Sequence, residues 1–217
     1  MFNIAIDGPA GAGKSTIAKI VAKKLGYIYV DTGAMYRTMA LACHRAGIKA
    51  DEEEKVIEKC NNVNITLGYE NDTQKVYLEG EDVSLQIRQE EIGNMTSAIA
   101  VYPPVRKILV AMQQDLAKKN NVVMDGRDIG TAVLPNADLK IYLTASSRTR
   151  AERRYRELIE KGQDCNIDEI EKDIKERDFR DMNRDVSPLV QAEDAVLVDS
   201  SDMDIEQVVT EIINLVK

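Results

Sequence analysis

Residues 8–15 decide the fold and read Gly8-Pro9-Ala10-Gly11-Ala12-Gly13-Lys14-Ser15. They fit the pattern G-x-x-x-x-G-K-[ST], and they lie between an apolar run at residues 2–6 and a stretch with helical periodicity. Small residues let the backbone curl until several N–H groups point at one centre, and the N-terminus of the following helix adds partial positive charge there. The pattern predicts a loop that binds the phosphates of a nucleoside triphosphate.

Two side chains of this loop carry the chemistry of such a site. Lys14 can reach the β- and γ-phosphates, and the Ser15 hydroxyl can ligate Mg²⁺. The alternative is a glycine-rich turn without function, but the spacing, the lysine, the hydroxyl and the strand–helix context all favour the binding loop. The residues predicted to bind ATP are Gly8, Pro9, Ala10, Gly11, Ala12, Gly13, Lys14, Ser15 and Thr16.

The rest of the chain alternates short apolar runs with helix-periodic stretches. The runs predicted as buried strands are residues 2–6, 27–30, 122–124, 139–143 and 195–198. Helices are predicted over the periodic residues 17–25 with a stop at Gly26, from a turn at residues 31–33 through about residue 47, and over residues 205–216. This alternation predicts an α/β fold, a P-loop NTPase-type parallel sheet flanked by helices, with its ligands beyond the carboxyl ends of the strands.

The helical period disappears between residues 61 and 93. Alternating segments at residues 63–67 and 75–78 flank the turn signal Glu70-Asn71-Asp72, which predicts an antiparallel hairpin. We therefore expect residues 61–93 to form a small antiparallel β insertion in a core of residues 1–60 and 94–217. A decorated surface loop is the alternative.

A buried strand ends in a carboxylate at Asp125, followed by Gly126-Arg127-Asp128. An aspartate in this place can hold Mg²⁺ through water, and Arg127 can bind a phosphate with two donors. Alternatively, Arg127 and the flanking aspartates neutralise one another. The strand-end position favours the functional interpretation.

Eight of the thirteen arginines lie between Arg148 and Arg184. On a helix Arg177, Asp181 and Arg184 would share one face, which suits phosphates and a ribose hydroxyl, although such ladders are often solvated salt-bridged faces. The like charges of the preceding arginines, from Arg148 to Arg156, call for an anion between them. Residues of about 145–165 therefore read as an arginine-rich lid, in which Arg148 and Arg154 are predicted catalytic residues.

The composition disfavours two classes of binding partner, nucleic acids and membranes. A formal net charge of −8 argues against nucleic acid, whose phosphates need a basic surface. No apolar run approaches the length of a membrane span, so no membrane partner is expected. Three widely spaced cysteines predict reduced thiols and a cytoplasmic protein.

These motifs together resemble the bacterial cytidylate kinases, a family of nucleoside monophosphate kinases. The resemblance spans almost the whole chain and rests on residues 6–14, 31–37, 78–83, 125–131 and 175–184. It implies phosphorylation of CMP and dCMP to CDP and dCDP by in-line transfer of the ATP γ-phosphate, in pyrimidine nucleotide metabolism. It also implies a Mg²⁺ cofactor and a monophosphate-binding role for the β insertion, and we expect a monomer.

The resemblance also implies roles for individual residues. Ser97, Arg106 and Asp128 would contact the cytosine, and either Asp125 or Asp128 would serve the metal. The full set implied to bind CMP is Thr32, Tyr36, Arg37, Ser97, Arg106, Arg127, Asp128, Arg177, Asp181 and Arg184. The predicted catalytic set is Lys14, Arg127, Arg148, Arg154 and Arg184.

Three other functions remain open from the residues alone. A kinase of the same fold could act on UMP, AMP or a small metabolite. A nucleotide-switched binding protein of the GTPase kind is disfavoured, because the chain has neither Asn-Lys-x-Asp nor a strand followed by Asp-x-x-Gly. A module that binds ATP without transferring phosphate is the third.

Overall fold

A computed structural model describes residues 1–70 and 73–216. Its strands are β1 (Asn3–Asp7), β2 (Ile28–Asp31), β3 (Ile65–Glu70), β4 (Thr73–Leu78), β5 (Glu81–Asp82), β6 (Val122–Gly126), β7 (Leu139–Thr144) and β8 (Val196–Asp199). Its α-helices are α1 (Lys14–Leu25), α2 (Thr32–Arg45), α3 (Glu53–Asn61), α4 (Glu90–Ile99), α5 (Pro103–Lys119), α6 (Ser147–Glu160), α7 (Ile167–Met182) and α8 (Ile205–Leu215). Two short helical turns, Gln86–Arg88 and Ile129–Val133, complete the order.

The chain divides into two compact units. The first unit comprises Met1–Tyr29 and Asn121–Lys217, and the second comprises Val30–Asn120. The antiparallel strands lie within the second unit. The boundaries of a separate monophosphate-binding region at residues 61–93 stay a prediction.

A five-stranded sheet has the order β2-β6-β1-β7-β8. β1 pairs in parallel with β6 on one side and with β7 on the other, and β7 pairs in parallel with β8. Ile4, Ile6, Val123 and Leu143 are fully buried, as expected for strands covered on both faces. Burying each such side chain contributes roughly 1.5–3 kcal/mol. The predicted parallel sheet is confirmed, and the ends of β1 and β6 carry the phosphate loop and Asp125.

The second unit contains the smaller sheet, of order β3-β4-β5. β3 and β4 pair antiparallel from Ile65 opposite Leu78 to Glu70 opposite Thr73, so the predicted hairpin is confirmed. Asn71 and Asp72, two residues of the predicted turn signal, lie outside the described residues. After β5 the chain continues into α4 and α5. Together with α2 and α3, these are the α-helices of the second unit.

Helix ends follow local sequence signals except at one place. Gly26 ends α1 in the left-handed conformation, and the Asp31 side chain caps α2 by accepting from the Ala34 N–H at 2.9 Å. By contrast, α7 ends at Met182, so the prediction that Arg177, Asp181 and Arg184 share one helical face is wrong for Arg184. The helix ends there because the next residue, Asn183, caps it: the Asn183 side-chain amide donates to the Phe179 carbonyl oxygen at 2.8 Å.

Among residues 1–70 and 73–216, no helix is both long enough and apolar enough to cross a lipid bilayer.

Candidate active site

The phosphate loop, residues 8–15, connects β1 to α1. Gly8, Gly11 and Gly13 have φ angles of 146°, 76° and 86°, which L side chains rarely adopt. A Cβ at Gly8 would also lie 1.9 Å from the Leu143 carbonyl oxygen on β7, so this position excludes any side chain. The glycines thus allow the loop to curl tightly against the sheet and to present the N-terminus of α1, which favours bound anions.

Lys14 is the first residue of α1, and its side chain folds back over the loop. It is 6% exposed, and its ammonium group donates to the Pro9 carbonyl oxygen at 2.8 Å. Burial lowers the pKa of Lys14, and the nearby Arg127 lowers it further. Three carboxylates raise it in opposition: Asp125, Asp7 and Asp181. Since an ammonium group has three donors, Lys14 can keep its bond to Pro9 while donating to phosphate oxygens.

Asp125 lies on β6 beside the loop and is buried. Ser15 donates from its hydroxyl to Asp125 Oδ2 at 2.7 Å, and Tyr29 donates from its phenol to Asp125 Oδ1 at 2.8 Å. A hydroxyl and a carboxylate are hard oxygen donors of the kind that Mg²⁺ prefers. The residues present therefore fit a magnesium ion brought by a nucleotide.

Arg127 follows β6 and reaches α7. Its Nε donates to Asp181 Oδ2 at 2.8 Å, and the two side chains are each 21% exposed. Its Nη1 donates to the Gly126 carbonyl oxygen at 3.3 Å. The partner of Arg127 is therefore a distant residue on α7, in addition to any effect of the adjacent aspartates.

Arg184 lies in the segment after α7. Its Nη2 is 3.4 Å from Asp128 Oδ1, and its Nε donates to the Ser187 carbonyl oxygen at 2.6 Å. Asp128 itself is buried. The structure thus brings together Lys14, Ser15, Asp125, Arg127, Asp128, Asp181 and Arg184 in the first unit, although α7 does not extend to Arg184.

Four of the five arginines of α6 form ion pairs with carboxylates of the chain. The ion pairs are Arg148 with Asp168 (2.7 Å) and Glu171 (3.3 Å), Arg150 with Asp178 (2.6 Å), Arg154 with Glu157 (2.8 Å) and Arg156 with Glu152 (3.8 Å). The like charges of these arginines therefore do not by themselves require a bound anion, because α6 and α7 supply carboxylates, and an anion between the arginines stays a prediction. The roles of Arg148 and Arg154 stay predictions.

Arg150 was absent from the predicted site set, but the structure places it against the phosphate loop. It is buried, and its Nη1 donates to the Ala10 carbonyl oxygen at 2.9 Å while its Nη2 donates to Asp178. The sequence carried a signal, since Arg150 lies in the arginine-rich segment. What it did not reveal is which of those arginines points inward.

Asp7 is a second residue that the sequence reasoning missed. Its carboxylate accepts from the backbone N–H groups of Ile129 at 2.8 Å and Gly130 at 2.7 Å. Burial raises the pKa of Asp7 to about 6, the two hydrogen bonds oppose that rise, Asp128 adds to it and Lys14 lowers it. The available signal was its position at the carboxyl end of a buried strand, the same argument that selected Asp125.

The remaining predicted site residues on α2, α4 and α5 lie in the second unit. The Arg106 guanidinium lies 5.9 Å from the centre of the Tyr36 ring, and the Arg106 side chain is buried. Arg37 donates to the Ile87 carbonyl oxygen at 3.1 Å, and Ser97 donates from its hydroxyl to Gly93 at 3.3 Å. A Cβ on Gly93 would be 3.5 Å from the Arg37 guanidinium, so Arg37 and Ser97 each lie next to this glycine.

Three further residues of the predicted site lie on the helices α1, α2 and α7. Thr32 begins α2 and is buried, Thr16 is an exposed residue of the first turn of α1, and Arg177 is an exposed residue of α7.

Known proteins resemble this chain in both sequence and fold. The family model for cytidylate kinase matches residues 4–217. Curated relatives named cytidylate kinase are 50% identical: one from Caldicellulosiruptor saccharolyticus over 99% of this chain and 95% of its own, and one from Pediococcus pentosaceus over 100% and 96%.

Solved structures share the fold at much lower identity. An uncharacterized protein from Eubacterium ventriosum has a TM-score of 0.56 at 11% identity, covering 100% of this chain and 98% of its own. Shikimate kinase from Bacteroides thetaiotaomicron has a TM-score of 0.52 at 14% identity, covering 99% and 98%. These likenesses show the fold alone, whereas the family model and the curated relatives extend along nearly the whole sequence. The chain belongs to the cytidylate kinase family.

Proposed function

We propose that this protein transfers the γ-phosphate of ATP to CMP, and also to dCMP, giving CDP or dCDP and ADP in pyrimidine nucleotide metabolism. The observation that carries the proposal is the buried Lys14 ammonium held over a glycine-curled loop, in a chain of the cytidylate kinase family. We further propose that the enzyme acts as a monomer in the cytoplasm, without nucleic acid or membrane partners.

The donor nucleotide is assigned to the phosphate loop. The backbone N–H groups of the loop at residues 10–16 and the N-terminus of α1 hold its phosphates, and Lys14 donates to the oxygens that gain charge during transfer. A magnesium ion, held by Ser15 and through water by Asp125, would neutralise phosphate charge when bound. The 2.7 Å contact between Ser15 and Asp125 supports Asp125, rather than Asp128, as the carboxylate for the metal.

The acceptor phosphate is assigned to Arg127 and Arg184, with Arg37 contributing by the family resemblance. Arg127 is aligned by Asp181 and Arg184 by Ser187, so both guanidinium groups are held before substrate binds. Such preorganisation lowers the barrier of a reaction that needs mainly positioning and charge stabilisation. An oxygen of the CMP phosphate attacks the γ-phosphorus in line, and the bond to the ADP oxygen breaks. The acceptor is already ionised near neutral pH, so no general base is needed.

The base is assigned to Asp128 in the first unit and, by family resemblance, to Ser97 and Arg106 in the second. The 4-amino group of cytosine is a donor that suits the Asp128 carboxylate, whereas uracil presents a carbonyl oxygen there. Leaving a buried polar group unpaired costs about 1–3 kcal/mol, so UMP should react roughly ten- to a hundredfold less efficiently.

The other assignments follow the resemblance. Arg177 and Asp181 would serve the sugar, Thr32 and Tyr36 would line the nucleotide, and Arg148 and Arg154 would act from a lid at residues 145–165.

A side-by-side assay tests the proposal. ATP-dependent phosphorylation of CMP, dCMP, UMP and AMP is followed by ADP release and by chromatography of the products, with Mg²⁺ present. We expect CMP to be the preferred acceptor and dCMP to be used. Equal kcat/KM for CMP and UMP would refute the base assignment. Phosphate release that needs no acceptor would favour a nucleotide switch, and ATP binding without any product would favour the silent module.

A further inference from the structure

Asp7 makes a paired contact with the turn that follows β6. One carboxylate oxygen accepts from the Ile129 N–H and the other from the Gly130 N–H, at 2.8 and 2.7 Å and across sequence separations of 122 and 123 residues. These are the first N–H groups of the turn Ile129–Val133, which have no acceptor within a helical turn. Asp7 therefore caps this turn from a different strand.

The turn is also confined from its other side. A Cβ on Gly130 would lie 3.1 Å from Lys140 Cδ and 3.4 Å from Asp7 Oδ2. Lys140 in turn donates to the Pro135 carbonyl oxygen at 2.6 Å and to Asp194 at 2.8 Å. The segment after β6 is thus held at its beginning by Asp7 and at its end by Lys140.

The capped turn begins immediately after Asp128. The Asp128 carbonyl oxygen accepts from the Ala132 N–H at 2.9 Å, so its backbone belongs to the same hydrogen-bonded turn. The Asp128 carboxylate is joined to this backbone through a single methylene, Cβ, so a shift of the turn moves the carboxylate with it. The Arg184 guanidinium contacts the same carboxylate at 3.4 Å, whereas Asp7 accepts from backbone N–H groups of the turn itself.

We propose that Asp7 is a positioning residue that sets the place of the Asp128 carboxylate and thereby the selectivity for a cytosine over a uracil nucleotide. The inference rests on the proposed function of Asp128. Asp7 also immediately precedes Gly8, so one residue joins the strand that carries the phosphate loop to the turn that carries the base acceptor. A carboxylate is required, because it offers one acceptor oxygen to each of the two N–H groups, whereas an amide offers only one acceptor oxygen.

The test compares Asp7→Asn with a control in the same strand. Asparagine keeps the shape of the side chain but replaces one carboxylate oxygen by an NH₂ group. This donor then faces the N–H of Ile129 or Gly130 and cannot accept from it. We expect kcat/KM for CMP to fall about tenfold and that for UMP to change less than about threefold, so the ratio of the two falls. Asp7→Glu keeps both oxygens and should restore part of the ratio. Ile4→Val removes one buried methylene from β1 and should lower Tm while leaving the ratio unchanged.

Each outcome decides between the possibilities. If Asp7→Asn lowers Tm as Ile4→Val does and keeps the ratio, Asp7 is only structural and the inference is overturned. If Asp7→Asn fails to fold, Gly130→Ala is used instead, because its Cβ crowds both Lys140 Cδ at 3.1 Å and Asp7 Oδ2 at 3.4 Å with the Asp7 carboxylate still in place, and an unchanged ratio there overturns the inference. A wild-type enzyme without CMP preference refutes the base assignment itself, and this failure is recognised before any variant is compared.

Discussion

Arg127 donates a hydrogen bond from Nε to Oδ2 of Asp181 at 2.8 Å, although 54 residues separate the two. The pair joins the segment after β6 to α7, and both side chains are mostly buried. A guanidinium group that a carboxylate already holds on one edge is restricted in its side-chain rotamers. It therefore loses less conformational entropy when its remaining donors bind a phosphate. Because we propose that Arg127 binds the acceptor phosphate, we expect the pair to act on CMP binding through the orientation of Arg127.

Replacing Asp181 by alanine should weaken CMP binding. Arg127 would lose its partner, and we expect KM for CMP to rise about tenfold, the loss of one charge-assisted hydrogen bond. Steady-state kinetics with varied CMP measure it, and Asp173→Ala, an exposed change on the same helix, is the control. If Asp181→Ala lowers only Tm, the solvated-face interpretation of this helix is correct.

Replacing Lys14 by methionine should abolish transfer and preserve the fold. Methionine fills a similar volume without the charge, so a buried cation disappears while the packing stays. We expect kcat to fall at least about a hundredfold, as for the loss of a donor to a developing negative charge. Lys24→Met, an exposed change on the same helix, should keep full activity. Activity retained by Lys14→Met at unchanged Tm would remove Lys14 from the mechanism.

Two glycine substitutions separate backbone strain from lack of space. Gly8 and Gly26 both have positive φ, but a Cβ at Gly26 has no neighbour within 4 Å whereas one at Gly8 meets a backbone oxygen at 1.9 Å. Gly26→Ala should cost about 1 kcal/mol of unfolding free energy. Gly8→Ala should cost several-fold more and also weaken ATP binding, as measured by urea unfolding and calorimetry. Equal losses from the two variants would contradict the close approach to Leu143.

Ser15→Ala should raise the magnesium requirement. The variant removes one oxygen donor beside Asp125, so the Mg²⁺ concentration for half-maximal activity should increase about tenfold. Tyr29→Phe is the matched control, because it removes the other hydrogen bond to Asp125 without removing a proposed ligand. A Mg²⁺ dependence that is the same in Ser15→Ala and wild type would argue against Ser15 as a ligand.

The raised pKa of Asp7 predicts a pH-dependent stability. Its pKa rises from 3.8 to about 6 on folding, so between these values the folded chain holds a proton that the unfolded chain has lost. The contribution of Asp7 to the free energy of unfolding is therefore greatest below pH 4 and declines as the pH rises to about 6.

Asp7→Asn removes this titration. The wild-type free energy of unfolding should fall between pH 4 and pH 7 while that of the variant does not, so the variant value minus the wild-type value should increase by about 2 kcal/mol over this range. Urea unfolding at several pH values measures the difference, with Asp173→Asn as the exposed control. A difference that is flat across this range would show that the pKa of Asp7 is not raised.

Several features of the fold could be predicted because their signals are local. The phosphate loop follows from glycine, lysine and hydroxyl spacing, and the stop at Gly26 follows from the freedom of glycine to adopt positive φ. The hairpin follows from alternation over residues 63–67 and 75–78, a period of two that only a strand produces. Each of these signals is contained in a short, contiguous stretch of sequence that itself forms the structural feature.

The sequence by itself therefore determined the parallel sheet, the loop that holds Lys14 and the strand-end place of Asp125. Tertiary structure alone decided that Asp181 aligns Arg127, that Arg150 reaches the Ala10 carbonyl, and that Asp7 caps the turn after Asp128. The physical reason is that a charged side chain forms hydrogen bonds only with groups that the fold brings within about 3 Å of it. That neighbour is chosen by packing of residues far apart in the chain, which no local period encodes.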